Sequence, residues 1–197
     1  MRVITLDLET QNFFQDTGSN DPVSLDISVV CIHDSDLGPA EDPTAYKSFT
    51  VNDMRGLWPI LEAADAIVTW NGDHFDIPLL NKYYTGDLSK IRSIDLMREV
   101  QGVIGRRLKL DSVASATLGA GKSGNGIEAV EWWRQGEIDK VIAYCTDDVR
   151  ITRALYDYAM RNGCLKYKDM GVLKDVKLDT SAWMEPVGSA MTFTLPF

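Results

Sequence analysis

The chain has 197 residues, 45% of them hydrophobic, which is enough for one domain with a substantial core but short for two. No apolar stretch approaches the roughly eighteen residues of a membrane span, and Met1 and Arg2 lead directly into a strand-like segment, so we expect a soluble, cytoplasmic protein without a signal peptide or membrane partner. The net charge of −9 argues against a protein that holds long nucleic acid through many phosphates, because such proteins usually carry a basic surface.

Strands dominate the first third of the chain. β-branched and apolar residues concentrate in three segments, and a fourth apolar segment follows a helical one that Asn52 could cap. The predicted strands span residues 3–8, 23–32, 46–51 and 66–70, and the predicted helix spans residues 54–64. The last of these strands is apolar throughout, as expected of a strand buried on both faces of a parallel sheet.

Strand and helix alternate through the rest of the chain. A helix is expected to begin near Asp76, followed by a strand at 91–96 and helices at 110–118, 127–134 and 138–161, with Asn162-Gly163 closing the last one. Together with the early strands, this order predicts an α/β domain with a central mixed sheet of about five strands flanked by helices. The domain is expected to span residues 1–165, and residues 166–197, which end in the apolar sequence MTFTLPF, to form an extension packed on it.

Three short segments carry acidic side chains at positions suited to a site. Asp7 and Glu9 end the first predicted strand, where the two-residue period places both carboxylates on one face and Leu8 on the other. An isolated pair of this kind is more often a solvated strand end. Two carboxylates side by side repel each other unless a positive charge lies between them, so the pair is also compatible with a bound cation.

The second segment, WNGDHFDIP, follows a buried strand. Asn71 and Asp76 lie at the carboxyl end of that strand, which is where open α/β sheets form sites. Asp76 could also be a simple helix cap, since Pro78 is tolerated in a first helical turn. Asp73 and, after the next strand, Asp95 are alternative candidates, although a capping role suits Asp95 better.

The third segment, YCTDD, lies in the last predicted helix. Tyr144 and Asp148 are four residues apart and therefore share a helix face. The structural alternative places Tyr144 in the core and makes Asp148 an exposed partner of Arg150 or Arg153, and the adjacent Asp147 is a further candidate. Considered together, Asp7, Glu9, Asp76 and Asp148 offer oxygen-only ligands, which suit Mg²⁺ or Mn²⁺ rather than zinc.

These segments resemble the exonuclease motifs of the DEDD (DnaQ-like) superfamily, in the order DLE, NxxxFD and YxxxD. The stretches WNGDHFDIPLL, RLKLDSVASATLG and YCTDDVRIT are similar to ribonuclease H-like exonuclease domains of bacteria and phages, and the resemblance runs from residue 2 to about residue 160. Histidine-type members carry a histidine five residues before the final aspartate, where this chain has Ala143. Tyr144 therefore matches the tyrosine subtype, DEDDy.

The resemblance implies a ribonuclease H-like fold and a two-metal 3′→5′ exonuclease that releases nucleoside 5′-monophosphates from a single strand. Asp7 would bridge two Mg²⁺ or Mn²⁺ ions about 4 Å apart, with Glu9 and Asp148 on the ion that activates water and Asp76 serving the other. Tyr144 would orient the water. Two such ions would bring the net charge of −9 to −5, since they add four positive charges.

The resemblance also implies contacts with the 3′-terminal nucleotide from Leu8, Thr10, Asn71 and Phe75. Asn71 could instead hold its loop, and the residue pattern alone favours a core position for Phe75. Single-stranded DNA and RNA both remain open as substrates, and a helicase or polymerase is the expected partner. Two alternatives are a catalytically silent domain that binds nucleic acid or a partner, and a hydrolase of very short oligonucleotides.

Three further features of the sequence are the GAGKS segment, the cysteines and a set of basic residues. The segment GAGKS, Gly119 to Ser123, lacks the first glycine of a P-loop, because Ala116 occupies that position, and it follows a predicted helix rather than a strand. The three cysteines, Cys31, Cys145 and Cys164, form no CxxC pair and are expected to pack in a reducing compartment. Four basic residues could reach a phosphate or simply face solvent: Arg106, Arg107, Lys109 and Lys122.

Overall fold

The centre of the protein is a five-stranded mixed sheet, seen in a computed structural model that describes residues 1–119 and 126–184. Its strands, in chain order, are β1 (Val3–Thr10), β2 (Ile27–Asp34), β3 (Tyr46–Thr50), β4 (Ala66–Thr69) and β5 (Arg92–Asp95). Their order across the sheet is β3-β2-β1-β4-β5. β1 is antiparallel to β2 and parallel to β4, so the carboxyl ends of β1, β4 and β5 lie at the same edge.

Helices cover both faces of this sheet. They are α1 (Phe14–Thr17), α2 (Trp58–Glu62), α3 (Asp76–Asn81), α4 (Leu96–Ile104), α5 (Leu110–Leu118), α6 (Gly126–Arg134) and α7 (Ile138–Asn162). The long helix α7 packs across β1 and β2 through a cluster that includes Val29, Val141 and Val149. The opposite face of β1 is covered by a second cluster that includes Leu57 and Leu80. None of the helices in the described parts of the chain is both long and apolar enough to cross a bilayer.

The predicted α/β architecture with a five-stranded mixed sheet is confirmed, and most element positions agree within a few residues. Two predicted elements are wrong in detail. The strand expected at 23–32 begins only at Ile27, because Pro22 starts a 3₁₀ turn, Pro22–Ser24. The helix expected at 54–64 divides into a 3₁₀ turn and α2, and Asp53 rather than Asn52 stands at the N-cap position of that turn. Pro59 explains the division, because proline is tolerated in a first helical turn but not in a helix interior.

The C-terminal region contains a hairpin that the sequence pattern does not predict. Its strands are β6 (Cys164–Asp169) and β7 (Val172–Lys177), and they form a separate antiparallel pair. Leu165 and Val176 of this hairpin are buried in the same core cluster as Val3. The division into residues 1–165 and 166–197 stays a prediction. Lys122 with most of the GAGKS segment, and the apolar ending MTFTLPF, lie outside the described residues.

Candidate metal centre

Strand β1 presents two acids on the face that α7 covers. Asp7 lies opposite Cys31 of β2, and Glu9 lies opposite Val29. Directly opposed residues of antiparallel strands share a face, and Val29 and Cys31 belong to the cluster under α7. Leu8 points the other way, into the second core cluster. The alternation predicted from the sequence therefore places both carboxylates under the long helix.

Helix α7 supplies the third acid. Val141, Cys145 and Val149 are fully buried against the sheet, and Asp148, only 4% exposed, follows Tyr144 by one helical turn. Apolar packing of one stripe of the helix thus fixes the position of Asp148 over β1. One carboxylate oxygen from each of Asp7, Glu9 and Asp148 lies within 4.8 Å of the other two.

This three-residue group has the spacing and chemistry that a hard cation requires. Oxygens on opposite sides of an octahedral Mg²⁺ are about 4 Å apart, and Mn²⁺ also prefers oxygen ligands. Three carboxylates with oxygens this close together repel one another when all are ionised, and burial strengthens the repulsion, since Glu9 and Asp148 are only 9% and 4% exposed. A divalent cation would remove that repulsion, so the side chains present fit such an ion.

Asp76, the fourth predicted ligand, is not one of the three members of this group. It is the first residue of α3, it is 4% exposed, and its carboxyl group lies near the backbone of Leu8, between the two β1 acids. Burial, assisted by the nearby Asp95 charge, raises the pKa of Asp76 to about 7. The Asp76 carboxyl group therefore lies in an environment that disfavours its charged form.

Asp95 holds the loop that leads to Asp76. Its carboxylate caps α4 by accepting a hydrogen bond from the Met97 amide at 3.0 Å, and it also accepts from the amides of Asn71 at 2.8 Å and Asp73 at 3.2 Å. Asn71 adopts a left-handed backbone conformation with φ of 73°. Sequence reasoning named Asp95 as a capping residue, and the structure gives it the further task of fixing this loop.

The two alternative acids have other partners. Asp73 forms an ion pair with Arg98 and a hydrogen bond with the Ser93 hydroxyl. Asp147 is half-exposed and pairs with Arg150 at 3.0 Å. Neither Asp73 nor Asp147 is a member of the group formed by Asp7, Glu9 and Asp148.

A groove of about 320 Å³ runs alongside Glu9. Leu8, Thr10 and Phe75, three of the four predicted nucleotide contacts, line it, whereas Asn71 does not. Its walls come from the region of α1 and from α6. Phe75 packs edge-on against the Phe14 ring, with centroids 6.3 Å apart, so it is part of the core and also part of the groove surface.

Cys145 contacts Asp7, whereas its position in the sequence predicts only a role in core packing. Its thiol lies 3.4 Å from the backbone carbonyl of Asp7 and 3.7 Å from a carboxylate oxygen of the same residue. Burial raises the pKa of this thiol well above its ordinary value, so it remains protonated and can donate to Asp7. The signal in the sequence was its place on the buried stripe, three residues before Asp148.

A mixed sheet in the order β3-β2-β1-β4-β5, with three convergent acids at the carboxyl end of β1, defines an α/β protein with a candidate metal centre. The RNase_H_2 family model, described as RNase_H superfamily, matches residues 5–160. Because this match covers most of the chain, the protein belongs to the ribonuclease H superfamily. Nucleases of this superfamily use divalent metal ions, which agrees with the acidic group.

One solved structure shows the same fold in a much larger protein. The family B DNA polymerase from the hyperthermophilic archaeon Pyrobaculum calidifontis is similar with a TM-score of 0.61 and 21% sequence identity. The similarity covers 81% of this chain and 24% of the polymerase, so this chain spans about a quarter of the length of that protein. No curated protein matches the chain.

Proposed function

We propose that the protein is a metal-dependent 3′→5′ exonuclease of the DEDDy type, which hydrolyses the terminal phosphodiester bond of single-stranded DNA or RNA and releases nucleoside 5′-monophosphates. The observation that carries the proposal is the convergence of Asp7, Glu9 and Asp148, from a strand and a distant helix, within 4.8 Å. Membership of the ribonuclease H superfamily supports a nuclease in general. The order of the DLE, NxxxFD and YxxxD motifs supports the finer assignment.

Each acid has a defined part in this proposal. Asp7, Glu9 and Asp148 would hold one Mg²⁺ or Mn²⁺ ion, and Asp7 and Asp76 would serve a second. Ions held there would lower the pKa of the attacking water and stabilise negative charge on the leaving 3′ oxygen. The Cys145 thiol, 3.4 Å from the backbone carbonyl of Asp7, helps to position that residue.

Tyr144 is proposed to orient the attacking water. It is 4% exposed, one helical turn from Asp148, and the Trp132 ring packs edge-on against it at 6.0 Å. Packing of the ring against Trp132 restricts the direction in which the hydroxyl can point.

The groove beside Glu9 is proposed to hold the 3′-terminal nucleotide as part of a single strand. Its apolar surface, with Leu8 and Phe75, suits an unstacked base, since aromatic and apolar side chains bind bases without reading their sequence. Asn71 is proposed to contact the same nucleotide. Its side-chain oxygen is buried without a hydrogen-bond partner among the described residues, and Asn71 does not line the groove, so this contact requires the side chain to turn toward the strand.

Two further proposals concern organisation. Residues 1–165 are proposed to form the exonuclease domain, with 166–197 packed on it as an extension, and the burial of Val176 in the main core supports this packing. We also propose that the protein acts beside a polymerase or helicase, which agrees with the presence of this fold within a larger polymerase.

Cleavage of a 5′-labelled single strand tests the proposed activity. With Mg²⁺ or Mn²⁺ we expect a ladder of products shortened one nucleotide at a time from the 3′ end, and excess chelator should abolish it. Undiminished cleavage in chelator, or binding without any cleavage, would rule the proposal out. The second result would identify a silent binding domain, and a rate confined to dinucleotides would identify a hydrolase of short oligonucleotides.

The variant Tyr144→Phe removes only the hydroxyl and keeps the ring packing. We expect kcat to fall about 10- to 100-fold, because the water loses an orienting partner, while the Mg²⁺ concentration for half-maximal activity stays nearly constant. Steady-state kinetics with a metal titration measure both quantities. An unchanged kcat would show that the hydroxyl takes no part.

A further inference from the structure

Arg134 lies at the rim of the groove beside the acidic group. Ile127 and Val130 of α6 line the groove, and Arg134 is the next residue along the same helical face, one turn beyond Val130. Its guanidinium carbon is 5.1 Å from the centroid of the Phe13 ring, and Phe13 also lines the groove. The helical spacing and the contact with Phe13 therefore both place a positive charge at the end of this surface.

The guanidinium has an exchangeable partner on the other wall. Arg134 donates to the Asp16 carboxylate of α1 at 2.5 Å, and the two side chains are 47% and 42% exposed. An ion pair this open to solvent contributes little to stability, and its carboxylate can be displaced by another anion. An arginine suits a phosphate diester well, because its planar donors match two phosphate oxygens at once.

Arg134 can supply the positive charge that the lining of the groove lacks. Among the described residues that line the groove there is no lysine or arginine, and Glu9 adds negative charge at one end. A strand whose terminal phosphate meets the metal centre must place its preceding phosphates along the same acidic protein, which has a net charge of −9. Arg134 is the nearby cation that can offset this repulsion.

We propose that Arg134 binds a phosphate upstream of the scissile bond when a single strand lies in the groove, and that Asp16 occupies the guanidinium in the free protein and competes with the strand. This inference rests on the proposed exonuclease function and adds a contact that determines substrate affinity. Arg134 acts on binding and takes no part in the chemical step.

Three variants separate phosphate binding from a purely structural tie between α1 and α6. Arg134→Ala and Asp16→Asn both break the ion pair, but only the first removes the cation. Asn at position 16 can still accept the hydrogen bond that Asp16 receives from the Phe13 amide at 2.8 Å. Arg150→Ala is the matched control, because Arg150 also pairs with an aspartate and lies 5.1 Å from a tyrosine ring centroid, at Tyr46.

Steady-state kinetics on a single strand of about ten nucleotides, at several salt concentrations, distinguish phosphate binding from a structural role of the ion pair. We expect Arg134→Ala to raise KM about fivefold, with the effect in KM rather than kcat, and to reduce the salt slope of kcat/KM by about 0.7, the value for one phosphate contact on a single strand. Asp16→Asn should lower KM, because the competitor has lost its charge. Arg150→Ala should leave KM unchanged.

If Arg134→Ala and Asp16→Asn raise KM equally, the pair only joins the two walls and the inference is overturned. An unchanged KM and salt slope for Arg134→Ala in an active enzyme would also overturn it. Thermal unfolding of each variant identifies a loss caused by misfolding, and in that case Arg134→Lys, which keeps the charge, should recover part of the affinity. Failure of the exonuclease proposal itself would appear differently, as a wild-type protein that does not shorten the strand.

Discussion

The variant Asp148→Asn is expected to lower the rate of 3′-end hydrolysis by at least about a thousandfold. Asparagine keeps the size and packing of the side chain but removes the negative charge from one of three carboxylates within 4.8 Å of one another. A divalent cation then loses a charged ligand, and the water that it activates loses its position. The initial rate on a 5′-labelled strand, measured across a range of Mg²⁺ concentrations, gives the effect.

The neighbouring residue provides the control. Asp147→Asn makes the same chemical change one position earlier, on a half-exposed side chain that pairs with Arg150. We expect its rate to stay within about twofold of the wild type. Equal losses in the two variants, or a large loss only in Asp147→Asn, would show that the ligand has been assigned to the wrong aspartate.

The second large effect concerns stability in the absence of metal. Because burial raises the pKa of Asp76 from 3.8 to about 7, the folded protein favours the neutral acid. The neutral carboxyl group of Asp76 favours the folded state. This contribution to the free energy of unfolding is fully present below pH 4 and is lost as the pH rises through 7. Ionising a carboxyl with this pKa difference costs the folded state up to about 4 kcal/mol.

Asp76→Asn should therefore be more stable than the wild type at pH 8 in excess chelator, and the two should converge near pH 4. Urea unfolding across this pH range measures the difference. Adding Mg²⁺ or Mn²⁺ should stabilise the wild type more than the variant, since the cation compensates the carboxylate charge. A variant less stable than the wild type at pH 8 without metal would contradict this explanation.

Asp26→Asn offers a control of opposite sign. A hydrogen bond from Lys82 lowers the pKa of Asp26, so its contribution to stability is present above its ordinary pKa and is lost as the pH falls. We expect this variant to be destabilised at pH 8 and to approach the wild type in acid. At pH 8 without metal, Asp76→Asn should therefore be more stable than the wild type and Asp26→Asn less stable, and both differences should shrink in acid.

Local patterns were sufficient to predict most of the sheet and the helix that carries the third acid. The alternation at Asp7 and Glu9 and the four-residue spacing of Tyr144 and Asp148 are properties of a strand and a helix, and both are visible without tertiary structure. The mixed sheet followed from the order of the elements. Which of two adjacent aspartates lies in the cluster was inferred from spacing, and the burial of Asp148 agrees with that choice.

Features that depend on residues far apart in the chain were not predictable in this way. The groove joins Phe13 to Ile127, and the ion pair between Asp16 and Arg134 spans 118 positions. Tertiary packing decides such contacts, so sequence periodicity carries no information about them. Helix α4 was missed for a different reason, because its local signals, Asp95 at the N-cap and Gly105 at the C-cap, were not combined into one helix.

Anomalous X-ray diffraction from crystals soaked in Mn²⁺ and a nucleoside 5′-monophosphate tests the central claim most directly. We predict two manganese peaks about 4 Å apart, with carboxylate oxygens of Asp7, Glu9 and Asp148 around one of them and Asp76 on the side of the other. Manganese bound elsewhere, or density at this place without coordination by Asp7 and Asp148, would contradict the proposed metal centre and the nuclease mechanism built on it.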